Sequence, residues 1–175
     1  RSMLSPAIPA MASILSGREI PATERADTDF ASMRVGYATL PQDHRDALRG
    51  LVAVHHYGYS LGLLGDGDVP QAELNALPPS QHPILRVHPE TNEVSLFVSG
   101  HIESIIGMSI REGRKLAEDL VEWCTRPEFV YSHEWKQHDL VMWDNRCLLH
   151  KANGDYDMSQ LRYLYRVMLK GDRPI

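Results

Sequence analysis

The sequence predicts an α+β fold, a β-sandwich or jelly roll flanked by helices. Three observations predict it. Apolar residues recur at helical spacing through the first two thirds of the chain. After Pro127 the pattern changes to alternation with period two, the mark of a half-buried strand. The chain has 175 residues with 43% apolar content, enough for one core. No repeat, low-complexity stretch or compositional break divides it, so residues 1–175 read as a single domain.

The elements follow in order. Ala12 to Arg18 is a short apolar run that reads as a strand, ended near Pro21. Asp27, Thr28 and Asp29 offer N-cap oxygens for a helix, with Phe30, Met33 and Tyr37 at helical spacing and Pro41 as its stop. A second helix is expected from about Gln42 to Val54, burying Leu48, Leu51 and Val52. Gly, Pro and Asp dominate residues 55–81, which reads as a long loop, either a lid or insert over a site or a disordered stretch. Leu85–Val87 and Val94–Val98 form a strand pair around the turn Pro89-Glu90-Thr91-Asn92. Ser109 and Glu112 make a capping box for a helix whose stripe is Leu116, Leu120, Trp123 and Cys124, closed by Pro127. Strands then follow at Phe129–Trp135, Leu140–Trp143 and Leu161–Leu169.

Composition excludes some functions. The net charge of −5 argues against non-specific nucleic-acid binding, which rests on neutralising phosphates. No run is long enough to span a membrane and no signal segment opens the chain. Two distant cysteines form no disulfide framework, so a reduced, cytoplasmic setting is expected. The chain starts at Arg1 without Met, which reads as a fragment of a longer polypeptide, with a processed N-terminus as the alternative.

The densest chemistry lies between Trp143 and Arg166. Arg162 and Arg166 are four residues apart in the last strand run, hence on one face and about 13 Å apart along the backbone. Long cations on an apolar face need an anion. That anion is either a carboxylate ligand held bidentately or a protein carboxylate such as Asp144, Asp155 or Asp157, unless the side chains reach solvent. His150 alone is as consistent with a core or surface residue as with a metal ligand. Its place at the end of a strand, before the two arginines, puts a candidate ligand beside a candidate carboxylate anchor.

The stretch from Pro127 to Pro174 resembles the C-terminal signature of the taurine dioxygenase/2,4-dichlorophenoxyacetate dioxygenase family. The matching pieces are PEFVY (127–131), DLVMWDNRCLLH (139–150), the ANGDYD turn, RYLYR (162–166) and GDRP (171–174). Earlier pieces match in the same order: ADTDFASM (26–33), LLGDGD (63–68), NALPP (75–79), His82-Pro83 with Arg86 and His88-Pro89, and LFVSGH (96–101). The resemblance implies a double-stranded β-helix, a cupin-like jelly roll flanked by helices. It implies Fe(II) held by an H-x-D pair and a distal His, with 2-oxoglutarate as cosubstrate. His150 matches the distal, catalytic iron ligand. Arg162 and Thr28 match the pair that anchors the far carboxylate of 2-oxoglutarate. Arg166 matches a second arginine near iron, serving substrate or cosubstrate, and His101 is expected to face the substrate pocket. Asp144 belongs to the WDNR motif and is not an expected ligand.

Two departures stand out. The H-x-D pair is expected before Pro9–Leu15, and no His precedes His44, so the chain reads as N-terminally incomplete. Arg25-Ala26 replaces the family's paired glycines. The implied function is an Fe(II)/2-oxoglutarate-dependent dioxygenase hydroxylating a small organic acid, aryloxyalkanoate- or sulfonate-like, with O₂ consumed and succinate and CO₂ released. This fragment alone is expected to be inactive. A homo-oligomer without nucleic-acid or membrane partners is expected. The competing reading is a non-catalytic binding or scaffold protein that keeps a degenerate barrel.

Overall fold

The computed structural model describes residues 8–21, 26–59, 78–154, 156–157 and 159–172. The strands are β1 (Ala10–Glu19), β2 (Thr28–Ser32), β3 (Val52–His55), β4 (Ser80–Pro83), β5 (Leu85–Val87), β6 (Val94–Leu96), β7 (Ile102–Ile105), β8 (Val130–His133), β9 (Leu140–Asp144), β10 (Leu148–Ala152) and β11 (Tyr163–Lys170). The helices are α1 (Met33–Thr39), α2 (Gln42–Ala47) and the longer one, here α3 (Ile110–Cys124).

Two antiparallel sheets position the site. One has the order β11-β1-β9, the other β10-β2-β8. The turn between β9 and β10 carries the chain from the first sheet to the second. Asp144 closes that turn by accepting the Arg146 backbone N–H at 2.8 Å. Register then fixes which side chains share a face, because residues opposite each other in an antiparallel pair point the same way. Ser13 lies opposite Trp143 and Met168, and Leu15 opposite Arg166. Phe30 lies opposite His150, and Thr28 opposite Ala152. The Phe30 ring meets Trp143 edge-on at 5.2 Å, so the two faces look at each other across a jelly-roll-type interior.

A second layer supports this interior. The sheet β4-β3-β7 and the hairpin β5-β6 bury Ala53, Ile84, Leu96 and Ile105 against Met33 of α1 and Leu120 and Cys124 of α3. The capping box expected at Ser109 and Glu112 is present, with both reciprocal bonds made. The Pro89–Asn92 turn is also present, with Asn92 in the left-handed region at φ 58°.

Three expectations are corrected. Thr28–Ser32 is a strand rather than the start of a helix, and Ser32 is the true N-cap of α1, accepting from the Val35 N–H. The Asp-Thr-Asp string mimics a cap, but its backbone bonds go to β8 and β10. The second helix ends at Ala47, because Gly50 at φ 75° turns the chain into β3, which includes Val52. The last strand begins at Tyr163, so Arg162 stands just before it rather than within it. The loop expected at 55–81 lies mostly outside the described residues. Its described ends, His55 and Ser80, are paired strand residues.

Candidate active site

His150 projects from β10 into the space between the two sheets. Its ring lies 4.7 Å from Trp143 and 6.4 Å from Phe30. Asn145 holds Trp143 in place, accepting from the indole N–H at 2.9 Å and donating to Ser13 Oγ at 2.9 Å. The imidazole opens onto a cavity of about 1150 Å³ that it shares with Arg166, His101, Lys151 and Asp29. Surrounding protein lowers its pKa, and the Arg166 charge lowers it further. A neutral imidazole is the form that ligates a metal.

Arg162 and Thr28 meet although they are far apart in sequence. The Arg162 guanidinium donates from Nε and Nη2 to the Ala26 carbonyl at 3.3 and 3.2 Å. Nη2 also reaches Thr28 Oγ1 at 3.4 Å. Thr28 is 2% exposed and Arg162 is half-buried. Burial lowers the Arg162 pKa, with the Tyr156 hydroxyl opposing, yet a guanidinium stays charged. Among the described residues no carboxylate pairs with Arg162 or Arg166. Asp157 caps Ser159, and Asp155 is outside the described residues. Thr28, Phe30 and His150 share one sheet face by register.

Asp144, the nearest tempting carboxylate, is engaged elsewhere. It takes Arg146 through both Nε and Nη2 and lies 3.0 Å from His88 Nε2. Burial pushes its pKa up, but hydrogen bonds from Arg146 and His88 outweigh that and hold it at about 2. Glu90 takes the remaining side of Arg146. His88, Asp144 and Cys147 lie close enough to suggest a metal site. Two of the three are already engaged: His88 Nδ1 accepts from the Glu90 and Thr91 N–H groups, so Nε2 carries the proton given to Asp144, whose oxygens also take Arg146.

The cavity's far wall is aromatic. His101 lies 5.6 Å from Tyr57, and His55 lies 5.3 Å from Phe97. Burial, then the charges of His82 and His101, push the His55 pKa down to about 3. His55, Trp135 and Asn145 were not singled out in the sequence. Trp135 and Asn145 act through partners more than a hundred residues away, and sequence spacing carries no sign of that.

The single H-x-D string in the sequence, His44-Arg45-Asp46, lies on α2, where Asp46 accepts from Gln42 and Arg49. It takes no part in this cavity's lining. Among the described residues, no group of three metal-ligating side chains includes His150.

The fold and the site define a jelly-roll-type barrel whose interior can take an anionic small molecule. The profile of the "Taurine catabolism dioxygenase TauD, TfdA family" matches residues 5–168, and the chain belongs to that family. It is 42% identical over 147 residues to the alpha-ketoglutarate-dependent 2,4-dichlorophenoxyacetate dioxygenase of Burkholderia sp. (strain RASC), covering 84% of this chain and 49% of that protein. It is 42% identical over 160 residues to the enzyme of the same name from Cupriavidus pinatubonensis, covering 91% and 55%. The solved structure of AAD-2 in complex with Mn(II) and N-oxalylglycine superposes with a TM-score of 0.90 at 41% identity, covering 99% of this chain and 68% of that one. The chain thus spans about half the length of the curated relatives it matches.

Proposed function

We propose that the protein is an Fe(II)- and 2-oxoglutarate-dependent dioxygenase acting on a small organic acid of the aryloxyalkanoate or sulfonate kind. The observation that carries this is the Arg162 guanidinium, half-buried against the Ala26 carbonyl and Thr28 hydroxyl with no carboxylate among the described residues to neutralise it. A buried cation without a counter-ion is costly unless a ligand supplies one. The far carboxylate of 2-oxoglutarate would supply it, facing the uncommitted Nη1 of Arg162 and the Thr28 hydroxyl.

His150 fits as one ligand of the metal. Surrounding protein and the Arg166 charge lower its pKa, which favours the neutral form, and Trp143 and Phe30 pack against its ring. The described residues supply no H-x-D partner to it, so one ligand of a facial triad is accounted for here. Iron, when bound, supplies the oxygen chemistry. The chain's own residues supply position and charge. Arg166 and Lys151 make the cavity attractive to an acidic substrate, and His101 with Tyr57 offers an aromatic wall for an aryl group. The reading draws further support from relatives named as dioxygenases of 2,4-dichlorophenoxyacetate. The overall conversion takes 2-oxoglutarate, O₂ and an acid to succinate, CO₂ and the hydroxylated acid.

The test is succinate release by the full-length protein across a panel of aryloxyalkanoates and alkylsulfonates. Arg162→Ala is expected to raise the KM for 2-oxoglutarate by at least tenfold, since a charge-assisted pair contributes roughly 1.5–3 kcal/mol. Unchanged 2-oxoglutarate dependence in that variant would reject the assignment. A non-catalytic binding protein remains the second reading, favoured by the single imidazole ligand at the site. It requires 2-oxoglutarate binding without succinate formation for any acid.

A further inference from the structure

Thr28 Oγ1 receives two hydrogen bonds. The Trp135 indole N–H donates to it at 2.9 Å, and Arg162 Nη2 donates at 3.4 Å. Indole and guanidinium nitrogens are donors only, with no lone pair to return. A hydroxyl oxygen has two lone pairs and one proton. With both lone pairs engaged, the proton must point away from Trp135 and Arg162. No acceptor for it is present among the described residues. Trp135 is 4% exposed and Thr28 is 2% exposed, so water cannot freely scramble this arrangement. The indole is itself fixed: the His133 ring packs edge-on against it at 4.8 Å, and His133 in turn lies 3.1 Å from Asp139.

We propose that Trp135 is a positioning residue that locks the Thr28 hydroxyl as a donor, so that Thr28 O–H and the uncommitted Nη1 of Arg162 together face one carboxylate. This rests on the proposed function, and it adds a residue that does not touch the cosubstrate. Without the indole N–H, one lone pair of Thr28 is free and the hydroxyl rotates among several orientations. A carboxylate then binds only the fraction with the proton turned towards it. The selectivity is chemical. An acceptor such as a carboxylate is favoured, and a ligand offering a donor is rejected.

The test is a double-mutant cycle on the full-length protein, read as the Kd for 2-oxoglutarate by calorimetry at saturating Mn(II). Trp135→Phe keeps the ring and removes the N–H, and it is expected to weaken binding roughly three- to tenfold, the loss of one net hydrogen bond. Thr28→Val is expected to weaken binding by about the same factor or more, and Thr28→Ser to retain it. The combination of Trp135→Phe with Thr28→Val should bind no worse than Thr28→Val alone, because the indole acts through the hydroxyl. Where Trp135→Phe fails to fold, the readout is the Trp135 indole N–H resonance of the wild type. It should move on adding 2-oxoglutarate and stay still in Thr28→Val. Additive losses, or a wild-type indole resonance that ignores 2-oxoglutarate, overturn the positioning role. If wild type binds and Arg162→Ala does not, while Trp135→Phe binds like wild type, the function stands and the positioning role falls. A wild type that does not bind 2-oxoglutarate at all overturns both.

Discussion

At the scale of single residues, His55 shows how the cavity trades stability for its lining. Its ring packs against His82 and Phe97, and its Nε2 is buried without a partner. Burial, then the neighbouring imidazoles, set its folded pKa at about 3 against an unfolded value of 6.5. Between those values the unfolded chain binds the extra proton, so stability falls as pH drops below 6.5, by up to a few kcal/mol. Asp144 works in a different window. Its folded pKa of about 2 lies below the usual 3.8, so its contribution is present above 3.8 and is lost as pH falls through 2. Urea unfolding between pH 6.5 and 4 therefore reads the histidines. His55→Leu is expected to flatten the pH dependence there by about one proton's worth, roughly 1.4 kcal/mol per pH unit. A slope equal to that of wild type would mean that His55 is not buried neutral.

At the scale of elements, local signals were legible where chemistry is local. The Ser109–Glu112 box opens α3 as its spacing says, and β1, β9 and β11 lie within a few residues of the apolar runs that announce them. β2 was not legible. Asp27, Thr28 and Asp29 are good cap residues, and only pairing with β8 and β10 makes them strand. The site divides in the same way. His150, Arg162 and Arg166 enter the proposed site through the family resemblance, since residue type alone left them open, whereas nothing local ties Trp135 to Thr28. One tertiary contact between helices yields a clean test. A methyl at Gly36 of α1 would lie 2.3 Å from Cys124 Sγ of α3, and Trp123 donates to the Gly36 carbonyl at 3.0 Å across the same contact. Helix propensity alone would make Gly36→Ala stabilising by about 1 kcal/mol. Overpacking reverses the sign, and a loss of roughly 1–3 kcal/mol is expected by denaturant unfolding. Pairing it with Cys124→Ala should recover part of the loss, since the sulfur is what the methyl meets. A destabilisation that the second change leaves untouched would place the strain elsewhere.

At the scale of the whole molecule, the two charged systems of the barrel are segregated. Asp144, Arg146, Glu90 and His88 are tied to one another by hydrogen bonds and ion pairs beside the β9–β10 turn. Arg166 lines the cavity onto which His150 opens, Arg162 sits on the Ala26 carbonyl and Thr28 hydroxyl, and no carboxylate among the described residues pairs with either. This explains why Asp144, the one carboxylate of the WDNR motif, is a poor metal ligand. Its oxygens already accept charged donors, and displacing them would strand Arg146, which is 4% exposed. Each of the nine histidines lies among the described residues, and His150 joins none of them in a group of three ligands. Metal affinity of the 175-residue chain should accordingly be low. Titration with Mn(II) or Co(II), followed by calorimetry and by visible absorption, is expected to show no site tighter than about the millimolar range that a single imidazole supports. His88→Ala should leave that weak binding unchanged and lower stability instead, by roughly 1–3 kcal/mol for the orphaned bond to Asp144. Tight one-to-one binding abolished by His88→Ala would mean that the network opens to ligate metal, and the division between closed and open charge would then be wrong.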